Sequence, residues 1–353
     1  MAEQIPLTEL SYEELGKWLS NLGQPNYRRD QLYRWIYRSL AADFEEMTNL
    51  PASLRADLSK QATLRTLTPV SEQVSADSLT RKVLFRLRDG EAIEAVLMFY
   101  EGRRTVCVSS QVGCPIGCPF CATGQAGFAR DLTAGEIVEQ VLYFARELKA
   151  SDQSLTNVVI MGMGEPLLNY DATWAAIERL NDKRGFGLGA RRITISTAGY
   201  VPGIRRLAEA DREVGLAISL HAPNDELRDK LVPLNRRYPL DELLAACRYY
   251  LGKTHRRLTF EYALMDGVND SNALAEETAD LLHGLLCHVN LFALNPTPDC
   301  PYQPSPRKRV VAFQRILTAR GIPATVRLGR GLDIAAGCGQ LRGQVQAKQR
   351  RGK

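Results

Sequence analysis

No run of about 18 consecutive apolar residues occurs anywhere in the chain, so no segment is built to cross a bilayer as a single helix. The opening stretch, Met1-Ala-Glu-Gln-Ile-Pro-Leu-Thr-Glu-Leu10, lacks the basic start and apolar core that mark a secretory leader. Both absences predict a cytoplasmic protein. Repeats and low-complexity tracts are missing too, which sets aside repeat arrays and disordered segments. In a reducing compartment the eight cysteines do not make a disulfide framework, so clustered ones read as metal ligands or reactive thiols. The isolated Cys247, Cys287 and Cys300 read as packing or loop residues.

What is present points to an α/β protein. At 353 residues and 39.3 kDa the chain has room for one large α/β barrel or two ordinary domains. Net charge is +5 with pI near 8.7, and the tail after Leu341 carries no acid at all. That asymmetry suits a polyanionic partner or a solvated end.

From Thr8 to about Leu64 the pattern is helical: Leu15, Trp18, Leu19 and Leu22 share one face, and Leu32, Trp35, Ile36 and Leu40 the next. Thr48-Asn49-Leu50-Pro51 opens a third helix. Arg28, Arg29, Arg34 and Arg38 are placed to meet phosphates or to form a plain exposed face. From Arg81 to Phe99 the period changes to two around Asp89-Gly90, which predicts a β-hairpin. Thereafter strand-like stretches begin at Thr105, Asn157, Arg192, Val214, Leu258, His288 and Ala324, separated by helix-period sequence. Repeated βα units imply a parallel sheet, barrel or doubly wound, with its chemistry on the loops after the strands. Five unusual loops fall there: the run Cys114 to Cys121, GMGEP (Gly162 to Pro166), STAG around Ser196, SLHAP (Ser219 to Pro223) and NPTP (Asn295 to Pro298).

Cys114, Cys118 and Cys121 stand in the spacing C-x3-C-x2-C, with Gly113, Pro115, Gly117 and Pro119 letting the backbone fold around a metal. A structural zinc site wants four ligands, commonly two C-x2-C pairs, and no second pair exists. A fully protein-ligated iron–sulfur cluster also wants four. Three thiolates leave one iron open, and S-adenosylmethionine (SAM) can chelate an open iron through its amino and carboxylate groups.

With Phe120 just before its last cysteine, this motif resembles the radical SAM superfamily. The conjunction of CVSSQVGC-x3-C-x2-CATG, GMGEPLLN, ITISTAG, SLHAPN and a C-terminal GCGQL resembles the RlmN/Cfr family of radical SAM RNA methyltransferases, from YRRDQLYRWIY to Leu341. The resemblance implies a partial (β/α)6-type radical SAM barrel with a small N-terminal helical accessory domain. It divides the chain into a helical RNA-binding part (1–64), a hairpin adaptor (65–98), a methyltransferase core (99–345) and a basic tail (346–353). It further implies a [4Fe–4S] cluster on Cys114, Cys118 and Cys121, and SAM contacts at Gly164, Glu165, Ser196, Ser219, Leu220, His221 and Asn295. The expected substrates are 23S rRNA and tRNA. A low-potential donor such as flavodoxin or ferredoxin would reduce the cluster of a monomer that needs no membrane.

Carbon 2 of adenine lies between two ring nitrogens and is too electron-poor to attack a sulfonium methyl, so a protein thiol must carry the methyl first. The resemblance assigns that role to Cys338, assigns to Cys107 the resolution of the adduct through a disulfide with Cys338, and makes Glu94 the acceptor of the carbon 2 proton. Taken without the resemblance, Glu94 reads as one acid on a solvated strand face, and His221 as a satisfied structural histidine. Where the family commonly has Ala-Ala-Cys-Gly-Gln-Leu, this chain has Gly337 before Cys338, which adds backbone freedom and leaves the thiol intact. Two rivals stand beside this reading. One is a Cfr-like enzyme acting at carbon 8 of the same adenosine, and the other is a non-catalytic, zinc-stabilised RNA-binding protein.

Overall fold

The structure, a computed structural model, describes residues 4–295, 297, 300–327 and 332–334. Three helices open the chain, α1 (Tyr12–Asn21), α2 (Tyr27–Tyr37) and α3 (Ala52–Gln61), tied by a short parallel bridge between β1 (Ile5–Pro6) and β2 (Ala62–Thr63). Helix α1 begins in a capping box in which Ser11 and Glu14 bond each other's backbone N–H. Leu15, Leu19, Leu32 and Ile36 are buried as the helical spacing requires.

Next come β3 (Thr68–Val74), β4 (Thr80–Arg86), β5 (Ala92–Tyr100) and β6 (Arg103–Val108), an antiparallel meander. The expected hairpin is the β4–β5 pair, turning at Gly90 with φ +88°. It is more than a linker, because β3 adds a third antiparallel strand and all of them join the main sheet. Strand β3 escapes sequence reading because none of its residues is buried, so no apolar alternation marks it.

A small ribbon follows, β7 (Gln111–Gly113) against β8 (Phe128–Asp131), with α4 (Ala122–Gln125) inside its loop. Then helices and strands alternate: α5 (Ala134–Ala150), β9 (Asn157–Ile160), α6 (Tyr170–Asn181), β10 (Ile193–Thr197), α7 (Val201–Ala208) and β11 (Gly215–Ser219). They continue with α8 (Asp225–Leu231), α9 (Leu240–Thr254), β12 (Leu258–Leu264), α10 (Asn272–Leu282), β13 (Cys287–Ala293), α11 (Arg307–Ala319) and β14 (Ala324–Val326).

One ten-stranded sheet results, in the order β14-β13-β12-β11-β10-β9-β6-β5-β4-β3. All neighbours from β6 to β14 are parallel, as a chain of βα units dictates. Among the described residues no strand pairing closes it, so the architecture is a partial barrel. Side chains span the mouth instead: Asp333 accepts a hydrogen bond from the Ala76 N–H at 2.6 Å, and Arg327, just past β14, interacts with Tyr100 on β5.

The parallel strands present two unlike faces. Val106, Val108, Val158, Ile160, Ile195, Leu216, Ile218, Phe260 and Leu291 point at the helices and are buried. The intervening positions, Cys107, Ser196, Ser219, Glu261 and Asn290 among them, line the concave side. The N-terminal helices pack outside α5 and α6, where Arg179 donates to the Thr8 and Glu9 carbonyls at 2.7 and 2.8 Å.

Candidate active site at the carboxyl rim of the sheet

The cysteine loop hangs from the β7–β8 ribbon. Gly113 sits there at φ +78°, and a Cβ would come within 2.0 Å of the Gly127 carbonyl, so only glycine lets the two strands close. The Cys114 N–H donates to that carbonyl at 2.8 Å, and the Cys121 N–H to the Cys118 carbonyl at 3.1 Å. Burial pushes the Cys114 thiol up to about 12, and the charges of Cys121 and Glu165 push the same way. Cys118 is also driven well above its ordinary value by burial, then by Cys121 and Cys114. Cys114 therefore lies near Cys121, and Cys118 near both, and a bound cation would remove the cost of ionising Cys114 and Cys118. Among the described residues no three His, Cys, Asp or Glu side chains converge on a single metal ion. A cubane asks for something different, one thiolate on each of three irons, and three thiols spread along one loop fit that demand.

The GMGEP turn after β9 is locked against the same ribbon. Gly164 has φ +104°, and a Cβ there would meet the Gln111 side chain at 2.6 Å. Gln111 in turn accepts from the Glu165 N–H at 2.8 Å and donates to Asp131 at 2.7 Å. The buried Glu165 carboxylate accepts from the Leu167 N–H at 3.1 Å and the Ala198 N–H at 2.7 Å, which fastens the turn to the loop after β10. Burial raises it to about 7 against the opposing pull of those bonds. Two backbone N–H groups and the Thr197 side chain engage the carboxylate, which leaves one lone-pair site for a ligand amine.

Ser196 and Ser219 are half-buried near the ends of β10 and β11, with Leu220 and His221 fully buried just beyond. His221 takes a left-handed φ of +61°, accepts from the Ala263 N–H at 3.0 Å through Nδ1 and meets Phe120 edge-on at 4.9 Å. Burial, then the Arg228 charge, lowers its pKa to about 3, so it is neutral and joins the SLHAP turn to the cysteine loop. Asn295 is half-buried two residues past β13.

On the concave wall the structure corrects the solvated reading of Glu94: it is only 4 % exposed. Antiparallel pairing puts Val96 opposite Cys107, so Glu94 and Cys107 share a face, and each is close enough for the Glu94 charge to act on the thiol. Burial takes Cys107 up to about 11; a bond from the Met161 backbone and the Arg327 charge work the other way. Arg327 is oriented by Glu261 at 3.4 Å, itself held by Asn290 at 2.8 Å. Cys107 is a free thiol, while Gly337 and Cys338 lie outside the described residues.

Of the basic positions in α2, Arg28 bonds Gln31 and stacks on Tyr27, and Arg29 lies over the Tyr12 ring. Arg34 and Arg38 are exposed. Sequence reading passed over Gln111, Arg228 and the β7–β8 ribbon. Gln111 sits inside the CVSSQVGC signature, but Arg228 lies in DELRDKL, which reads as a solvated helix.

Two family models match the chain: the radical SAM superfamily over residues 108–281, and the ribosomal RNA large subunit methyltransferase N-terminal domain over residues 5–64. The chain is 49 % identical to "Dual-specificity RNA methyltransferase RlmN 1" of Myxococcus xanthus, covering 98 % of this chain and 96 % of that one. It is also 49 % identical to a Chloroflexus aurantiacus protein described as "Probable dual-specificity RNA methyltransferase RlmN", covering 97 % and 94 %. A crystal structure of a radical SAM methyltransferase from Sphaerobacter thermophilus superposes with a TM-score of 0.93 at 57 % identity, covering 95 % of this chain and 98 % of that one.

Proposed function

The chain belongs to the RlmN family of radical SAM RNA methyltransferases, and on that premise we propose that it methylates carbon 2 of an adenosine in the peptidyl transferase centre of 23S rRNA and of an adenosine in the tRNA anticodon loop. Membership makes it a SAM-dependent RNA methyltransferase whose cofactors are a [4Fe–4S] cluster and SAM. In this reading the cluster on Cys114, Cys118 and Cys121 supplies the electron that splits the SAM sulfonium homolytically.

The protein groups do the rest. Glu165 takes the SAM amino group on its remaining lone pair, with Gly164 permitting the turn. Ser196, Ser219, Leu220, His221 and Asn295 border the same rim and hold the remainder of the cofactor. Cys338 would carry the methyl as a thioether, taken by displacement from SAM with S-adenosylhomocysteine leaving, and a second bound SAM would supply the radical chemistry that activates this methyl for addition to the ring. Glu94 takes the proton from carbon 2. Cys107 resolves the adduct by forming a disulfide with Cys338.

One observation supports this reading above the others: the buried Glu94 and the half-buried Cys107, thirteen residues apart in sequence, share the concave face of the sheet. A thiol pushed up to about 11 stays protonated at rest, which protects it until turnover. The adenosine has to reach this wall unpaired or flipped from its stack, while phosphate contacts supply salt-dependent affinity. A low-potential carrier such as flavodoxin or ferredoxin would reduce a cytoplasmic, monomeric enzyme.

The test is product analysis. Protein-free 23S rRNA is incubated with anaerobically reconstituted, reduced enzyme and methyl-labelled SAM, then digested to nucleosides for mass spectrometry. The expected product is labelled 2-methyladenosine. Labelled 8-methyladenosine would move the enzyme to the Cfr-like group, and unlabelled RNA from a loaded enzyme would overturn the reading.

A further inference from the structure

Arg228 on α8 is 1 % exposed, one of the largest fully buried side chains among the described residues. Four of its five N–H donors are engaged, three of them by carbonyls at the ends of two strands and one by Asn235. Nε donates to the Leu220 carbonyl at 3.1 Å, Nη2 to the Ala198 and Ser219 carbonyls at 2.7 and 3.1 Å, and Nη1 to the Asn235 Oδ1 at 2.6 Å. Ala198 is thereby gripped from both sides, its N–H by Glu165 and its carbonyl by Arg228.

Among the described residues none of these partners is a carboxylate. Asp225 and Asp229 bond the Asn235 amide at 2.8 and 2.7 Å, so an amide stands between them and the guanidinium. A neutral cap on a buried cation is costly unless some other negative charge is provided nearby. The other neighbour is Cys118, whose thiolate, once it holds the cluster, would favour the Arg228 cation more strongly than Asp225 or Asp229 does. Leu227 and Leu231, flanking Arg228 on its helix, pack in one apolar cluster with Ile116, Cys118 and Phe120. The group therefore faces the cysteine loop across apolar, weakly screening surroundings, where a fixed charge acts over a longer reach than in water. Burial lowers its pKa only to about 10, which keeps it cationic at neutral pH.

We propose that Arg228 is a positioning residue that clamps the β10 and β11 loops and, as the fixed counter-charge to the cluster, raises its reduction potential. The inference rests on the assignment of Cys114, Cys118 and Cys121 as cluster ligands. Adding one electron makes the cluster one unit more negative, and a buried cation beside it stabilises the reduced state more than the oxidised one. Asp225 and Asp229, held one amide away, moderate that charge.

The test is potentiometric titration, followed by electron paramagnetic resonance, of the full chain with its reconstituted cluster and no SAM. Arg228→Gln removes the charge, and Arg228→Lys keeps it while losing the fork. The Gln variant is expected to lower the equilibrium constant for cluster reduction about tenfold, a midpoint about 59 mV more negative for one electron, with Lys staying near the parent. Isosteric Asp229→Asn is expected to move the midpoint the other way. A Gln midpoint equal to the parent's, or equal Gln and Lys midpoints, overturns the proposal. Should the Gln variant not fold, Asp229→Asn decides, and an unmoved midpoint there overturns it. A parent chain that takes up no cluster would instead overturn the ligand assignment and this inference with it, so the two failures are told apart.

Discussion

The two faces of the parallel sheet use the same seven strands for opposite ends. On the helix-facing side the positions are Val, Ile, Leu and Phe, buried, interchangeable in chemistry and specific only in shape. The concave side carries chemically different groups: a thiol at Cys107, hydroxyls at Ser196 and Ser219, a carboxylate at Glu261, an amide at Asn290 and, just past the last strand, a guanidinium at Arg327. The first face costs stability when altered, and the second costs chemistry. Because the side-chain period of a strand is two, one residue of register separates these roles.

That contrast can be broken in order of expected effect. On the concave wall, Glu94→Gln should lower the single-turnover rate by about 10²–10⁴-fold, the range for loss of a general base, with the thermal midpoint nearly unchanged. A variant that loses its fold instead would make Glu94 a structural group. On the convex side, Phe260→Ala should cost about 3–5 kcal/mol in urea unfolding, as for other fully buried aromatics, while the folded fraction keeps its rate constant. A smaller effect belongs to the rim, at Glu165. With its carboxyl raised to about 7, the anion that would receive the SAM amine is present above that pH and lost as pH falls through it. SAM affinity measured calorimetrically should weaken by about tenfold per unit below pH 7, and Glu165→Gln should bind weakly with no such slope. Without ligand the sign reverses. The folded pKa exceeds the unfolded one, so ionising Glu165 costs stability as pH rises from the ordinary carboxylate range to about 7.

The same contrast explains what was legible in the sequence. All seven parallel strands can be read directly, because one face of each is continuously apolar and the helices between them carry a clear period. The rim loops are legible for a different reason: Gly113 and Gly164 are demanded by backbone approach, so the signatures around them are unusual. Strand β3, with no buried residue, leaves no pattern to detect. Glu94 and Arg228 are hidden by the opposite effect. An acid in an alternating strand and an Arg in a charged helix both read as solvated, and only the tertiary fold shows that Glu94 is buried and that Arg228 donates to strand-end carbonyls. In and just after α2, Arg28 and Arg29 turn out to be engaged within the helical module, whereas Arg34 and Arg38 are exposed.

The claim on which everything turns is that the concave wall handles a covalent RNA adduct, with Cys107 opening it. The direct measurement is a denaturing gel of end-labelled rRNA fragment after reaction with reconstituted Cys107→Ala enzyme and SAM. Without the resolving thiol the RNA should migrate with the protein, and protease should release it. RNA that runs free while the variant still carries its cluster and consumes SAM would contradict the account.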